Sequence, residues 1–130
     1  MAEQANGDGQ ILEARQVSVR FEGLTAVDNV DEILHQGEIL GLIGPNGAGK
    51  TTLVNAMTGF QLPSSGEVLL SGKDISGLTP HWIRRHGVAR TFQAGRLFRE
   101  MPVSENVEVA AVSMGLSRKK AHAHAMELLE

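Results

Sequence analysis

The sequence predicts an α/β fold, and three observations predict it. Apolar residues alternate with polar ones over residues 11–21, which places Val17, Val19 and Phe21 on one face of a strand. The run Ile39-Leu40-Gly41-Leu42-Ile43 is apolar throughout, as in a strand buried on both faces. Immediately after it comes Gly44-Pro45-Asn46-Gly47-Ala48-Gly49-Lys50-Thr51, a complete G-x-x-x-x-G-K-[ST] loop, and a helical pattern follows.

The elements follow in order. Residues 1–10 are polar and glycine-bearing, which predicts a loose tail. A first strand spans 11–21, Gly23 marks a turn, and a second strand spans 26–34. Residues 38–43 form the buried strand. Residues 50–58 form a helix with Leu53, Ala56 and Met57 facing inward and Gly59 as its cap. A loop at 63–66 leads to a short strand at 67–70. Thr79 and Pro80 open a short helix to 85, and 88–92 reads as another short strand. Pro102 opens a helix with Val103, Val107, Ala110 and Met114 at helical spacing, stopped by Gly115. Ser117 caps a last helix whose pattern still runs at Glu130 with no closing signal, which predicts a cut inside a longer pattern.

Composition limits the classes. A length of 130 residues suits one domain, and 42% hydrophobic with 21% charged residues describes an ordinary globular chain. A net charge of −3 argues against a dedicated nucleic-acid binder, which is normally basic. With no cysteine there are no disulfides or thiolate metal sites, and a reducing compartment fits. No apolar run approaches a membrane span and none follows the start as a signal peptide would, so a cytoplasmic location is expected.

The loop residues suit one chemistry. Three glycines let the backbone turn its N–H groups inward around an anion, at dihedrals that a side chain resists. The helix behind them presents unpaired N–H groups and a partial positive charge. Lys50 adds a point charge for β- and γ-phosphates, the Thr51 hydroxyl can ligate Mg²⁺, and Thr52 can bond an α-phosphate. The alternative is a glycine-rich turn with an incidental lysine; the complete motif in its strand–helix setting argues against it.

A phosphate-loop ATPase also needs a second carboxylate for Mg²⁺ at the end of an apolar strand and a group that orients the attacking water. Asp28 follows Thr25-Ala26-Val27, Asp74 follows Ser71-Gly72-Lys73, and Glu100 follows Leu97-Phe98-Arg99, while Glu127 and Glu130 lie on a helical pattern. None completes the set. Nucleotide binding without appreciable turnover by this chain alone is the expectation, with no catalytic residue assigned.

From residue 11 onward the chain resembles the N-terminal half of an ATP-binding cassette, the nucleotide-binding subunit of ABC transporters. Residues 44–52 match the family's phosphate loop: Gly44, Pro45, Asn46, Gly47, Ala48, Gly49, Lys50, Thr51 and Thr52. Phe21, before a glycine turn, matches the aromatic residue that stacks on adenine, with Val27 its apolar neighbour. Gln93, in Arg90-Thr91-Phe92-Gln93, matches the glutamine that reaches Mg²⁺ and senses the membrane partner. The segments 23–28 and 87–93, with Arg96-Leu97-Phe98 and Met101-Pro102-Val103, are most similar to importers of branched-chain amino acids, with urea and amide importers close behind.

The resemblance implies a truncated cassette: a mixed core sheet around the phosphate-loop helix with an antiparallel flank (11–101), then the start of a helical subdomain (102–130). It implies ATP and Mg²⁺ as ligands, transmembrane permease subunits and a second cassette as partners, and a peripheral place on the inner face of the cell membrane reached only through those partners. The signature motif, the carboxylate-bearing strand, the catalytic glutamate and the switch histidine of the family are not in these residues. Asp31 is unexpectedly acidic for the second strand. Missing strands predict an open sheet edge and self-association. Two other functions stay open, a docking module that never fires and a soluble cassette protein acting on ribosomes or DNA.

Individual residues carry alternatives. Gln93 also reads as a polar loop residue, and Phe21 as core. Residues 75–99 hold Arg84, Arg85, Arg90, Arg96 and Arg99 with no acid. That is a solvated basic face or a docking surface for an acidic partner segment; without interleaved aromatics, nucleic acid is not expected. His122 and His124, two apart, point to different sides of a helix and do not share a metal, and Trp82 packs its helix.

Overall fold

The computed structural model describes residues 9–92, 95 and 97–130. Contacts divide the chain into two units, Met1–Arg90 and Thr91–Glu130. Of the expected tail, residues 1–8 lie outside the described residues, and Gln10 already belongs to the first strand.

The first unit is built on two long strands, β1 (Gln10–Phe21) and β2 (Leu24–His35), joined by the turn at Glu22-Gly23. They pair antiparallel from Gln10↔His35 to Phe21↔Leu24. A third strand, β3 (Ser65–Leu70), pairs antiparallel with the other edge of β1, and β4 (Lys73–Asp74) pairs with β3, so the sheet order is β2-β1-β3-β4.

β1 does not keep a strict two-residue period. Its register shifts between Ala14 and Val17, where Gln16 takes a left-handed φ of 48°. The extra residue of this bulge puts Ala14, Val17 and Val19 in the core together. The Gln16 N–H, freed from the ladder, donates to Asp31 Oδ1 at 2.8 Å. The acid that looks out of place in the sequence therefore satisfies the bulge. Gly66 crosses β1 here; a Cβ on it would strike the backbone carbonyls of Arg15 and Gln16.

Helix α1 (Lys50–Met57) covers the sheet with Leu53 and Ala56, both buried, and with Met57 packed against the same core. Helix α2 (Pro80–Arg85) adds Ile83, and Ile75 closes the far side. Each buried valine or leucine here contributes about 1.5–3 kcal/mol. Thr79 stands at the start of α2 in extended conformation, as expected, without a side-chain cap bond.

Two expected strands are absent among the described residues. Residues 38–43 carry no strand ladder, and Ile39 and Ile43 are 100% and 93% exposed. The reason is partnership. A strand needs another backbone beside it to take its N–H and C=O groups, and β2 and β4 form the two edges of a sheet this segment does not join. The chain instead turns after β2, where Glu38 accepts the His35 N–H at 2.8 Å and the His35 Nδ1 at 3.1 Å. Residues 88–92 also carry no ladder: the Val88 N–H bonds to the Ile83 carbonyl at 3.3 Å, still finishing α2. The expected mixed core sheet is thus represented only by its antiparallel flank.

The second unit is a helical hairpin of α3 (Val103–Ser113) and α4 (Arg118–Leu129). Its buried residues are Ala111, Ala121 and Ala125, small enough to let two helices approach closely. The face expected from Val103 and Met114 is exposed; helical spacing gives a stripe but does not say which stripe meets the neighbour. Before α3, the Asn106 side chain accepts the Phe98 N–H at 2.9 Å and donates to the Met101 carbonyl at 3.1 Å, tying the entry loop down. No helix among the described residues is long and apolar enough to cross a membrane.

Candidate nucleotide-binding site

The glycine loop lies between the exposed segment and α1. Gly47 and Gly49 both have φ of 84°, the left-handed region that favours glycine. Gly49 is needed for space as well. A Cβ there would run into the Ala26 carbonyl of β2 and stand 3.3 Å from the Val27 side chain. The loop is therefore seated directly on β2, and the sheet fixes where α1 begins. The first helical bond, from the Leu53 N–H to the Gly49 carbonyl, is 2.8 Å.

Lys50, the first residue of α1, folds back along the loop. Its ammonium donates to the carbonyls of Gly44 at 2.7 Å and Pro45 at 2.6 Å. The ammonium thus spans the loop from end to end, while the first-turn amides of α1 have no intrahelical acceptor. Thr51 is exposed and Thr52 half-buried beside it. Residues 44–52 contain no acid. A cation, two hydroxyls and a helix N-terminus form a donor set that fits a phosphate and would repel nothing on it. No group of three His, Asp or Glu among the described residues could hold a metal ion alone. A Mg²⁺ ion with Thr51 and phosphate oxygens as ligands suits such a site, since Mg²⁺ keeps few protein ligands.

The other sequence-predicted residues fall as follows. Phe21 ends β1 and is 44% exposed. Val27 is 6% exposed and packs beneath Gly49. Gln93 lies outside the described residues. His122 does not pair with His124 but meets Glu108 of α3, Nδ1 to Oε1, at 2.6 Å, and His124 faces Glu127. Trp82 is half exposed and stacks at a tilt on His86.

One contact had no sequence signal. Arg90 leaves the expected basic face and turns onto the C-terminal end of α1. Its Nη1 donates to Asn55 Oδ1 at 2.6 Å and Thr58 Oγ1 at 3.1 Å, and its guanidinium lies 5.0 Å from the Phe60 ring centre. Residues 35 and 32 positions apart have no periodic relation that a pattern could reveal.

Known proteins resemble this chain in sequence and in fold. The family model described as ABC transporter matches residues 27–130. The high-affinity branched-chain amino acid transport ATP-binding protein LivG of Escherichia coli K12 is 52% identical over 100 residues, 77% of this chain and 39% of that protein. BraF of Pseudomonas aeruginosa, with the same description, is 49% identical over the same shares. The chain thus spans about two fifths of the curated relatives it matches. Among solved structures, a nucleotide-free ATP-binding cassette from an ABC transporter superposes with a TM-score of 0.72 at 33% identity, covering 88% of this chain and 46% of that one. The ADP conformation of an ATP-binding cassette gives the same score and identity, with 88% and 45% covered. On the match from residue 27 to residue 130, the chain belongs to the ABC transporter family.

Proposed function

We propose that this chain is the ATP-binding part of an importer subunit that energises uptake of branched-chain or related amino acids. The observation that carries the reading is the Lys50 ammonium closed over a glycine loop seated on β2. The backbone of 45–51 and Lys50 hold the phosphates. Thr51 and Gln93 address Mg²⁺, Thr52 the α-phosphate, and Phe21 with Val27 the base. A bound Mg²⁺ would neutralise charge on the phosphates. Transmembrane permease subunits and a second cassette are the partners, which places the chain in the cytoplasm against the inner face of the membrane. Identity near 50% to two branched-chain amino acid transport proteins supports the substrate class.

Alone, this chain binds ATP without turning it over, because residues 1–130 supply the cradle but neither the second Mg²⁺ carboxylate nor a water-orienting glutamate. Calorimetric titration with ATP and Mg²⁺ tests this. Lys50→Ala is expected to weaken binding by about tenfold or more, as loss of a charge-assisted contact does. Unchanged affinity would overturn the reading. A Lys50-dependent turnover near one per second would overturn its second half.

A further inference from the structure

We propose that Arg90 is a positioning residue for phosphate binding: it holds the far end of α1 and so sets the aim of Lys50 and Thr51 at the near end. This rests on the nucleotide reading above. α1 has eight residues, about 12 Å of helix, so it is short and stiff. Its N-terminal end rests on β2 through Gly49, and Leu53 and Ala56 rest on the core. Gly59, just past its far end, packs closely on Leu78, Pro80 and Ile83, and Arg90 adds a polar tie at that same end. It takes two oxygen acceptors three residues apart, Asn55 Oδ1 and Thr58 Oγ1, and its guanidinium carbon lies over the Phe60 ring, 5.0 Å from the ring centre.

The chemistry suits arginine in particular. The guanidinium is a rigid fork that can serve two acceptors and an aromatic face at once; a lysine offers a flexible point charge. A cation at a helix C-terminus also meets the partial negative charge of the last carbonyls. The Thr58 hydroxyl donates to the Val54 carbonyl at 2.6 Å, so Arg90 reaches the helix backbone through a second hydrogen bond.

Two measurements on the full chain test the inference. Hydrogen exchange without nucleotide reads the clamp. Arg90→Lys is expected to speed exchange of the amides of residues 54–58 by about fivefold or more, with the β1 and β2 amides unchanged. Asn55→Ala should give much of the same increase, and the double variant little beyond Arg90→Lys. Calorimetry with ATP reads the consequence: Arg90→Lys should weaken binding by about three- to tenfold, non-additively with Asn55→Ala.

Uniform acceleration across the sheet, or weakening that simply adds to that of Asn55→Ala, would make Arg90 an ordinary stabilising residue and overturn the proposal. Faster local exchange with unchanged ATP affinity would overturn it as well. Lys50→Ala is the separate control. If it leaves affinity unchanged, the nucleotide reading fails, and the positioning role fails with it even where the clamp is seen by exchange.

Discussion

Residues 38–43 and 44–51 adjoin in the chain, and the sequence predicts a buried strand for the first and a phosphate loop for the second. The strand does not form among the described residues, whereas the glycine segment takes a compact loop shape. The glycine loop closes on itself: the Lys50 ammonium returns to the Gly44 and Pro45 carbonyls, and the Ala48 N–H returns to Pro45 at 3.3 Å. Its shape depends on glycine dihedrals and on one support, the β2 backbone under Gly49. The apolar run before it depends entirely on neighbours that no described residue provides, and Ile39 stands fully in solvent. Local structure is written in adjacent residues, whereas a central strand is written in the strands beside it.

This contrast can be broken by substitution. The largest effect is expected at the loop's support. Gly49→Ala forces an alanine into left-handed φ and against the Ala26 carbonyl, so it should destabilise the first unit by about 2–4 kcal/mol. Urea unfolding followed by circular dichroism reads the loss; an unchanged midpoint would show that the loop does not rest on β2. Next comes the bulge. Asp31→Ala leaves the Gln16 N–H without its acceptor at an exposed site and should cost about 1 kcal/mol by the same measurement.

The apolar run should respond least of the three. Ile39→Lys is expected to change stability by under about 0.5 kcal/mol, where truncating a buried leucine such as Leu53 to alanine would cost about 2–5 kcal/mol. A large loss at Ile39 would mean that the run is paired after all. The same variant should reduce self-association in light scattering, since it removes an exposed apolar side chain.

The smallest effect concerns pH. The Asp74 carboxylate accepts bonds from the Ser76 side chain and from its N–H, the latter at 2.8 Å, and these hold its pKa below the ordinary value. A depressed folded pKa adds stability that is present above the unfolded value, about 4, and is lost as pH falls toward the folded one. Asp74→Asn should therefore flatten the decline of stability below about pH 4. A decline as steep as that of the parent chain would assign it to other carboxylates.

The sequence was most legible where periodicity and local chemistry agreed. The two long strands, the loop and the inward face of α1 needed only neighbouring residues. Legibility failed in three ways. Residues 38–43 and 88–92 have strand composition but join no strand ladder among the described residues. The helix α3 has a valine stripe, yet Ala111 is the residue that is buried, because packing against α4 selects the small side chain. Asp31 and Arg90 look misplaced or merely basic in the sequence, and each turns out to satisfy a distant group, the Gln16 amide and the end of α1. Long-range polar pairs have no period to detect.

The central claim is that the loop grips phosphates, not the base. Calorimetry with adenosine, AMP, ADP and ATP in the presence of Mg²⁺ tests it most directly. The account predicts affinity that rises with each phosphate, with ATP and ADP well above AMP and adenosine near the limit of detection. Equal affinity for adenosine and ATP, or no heat with ATP, would contradict it.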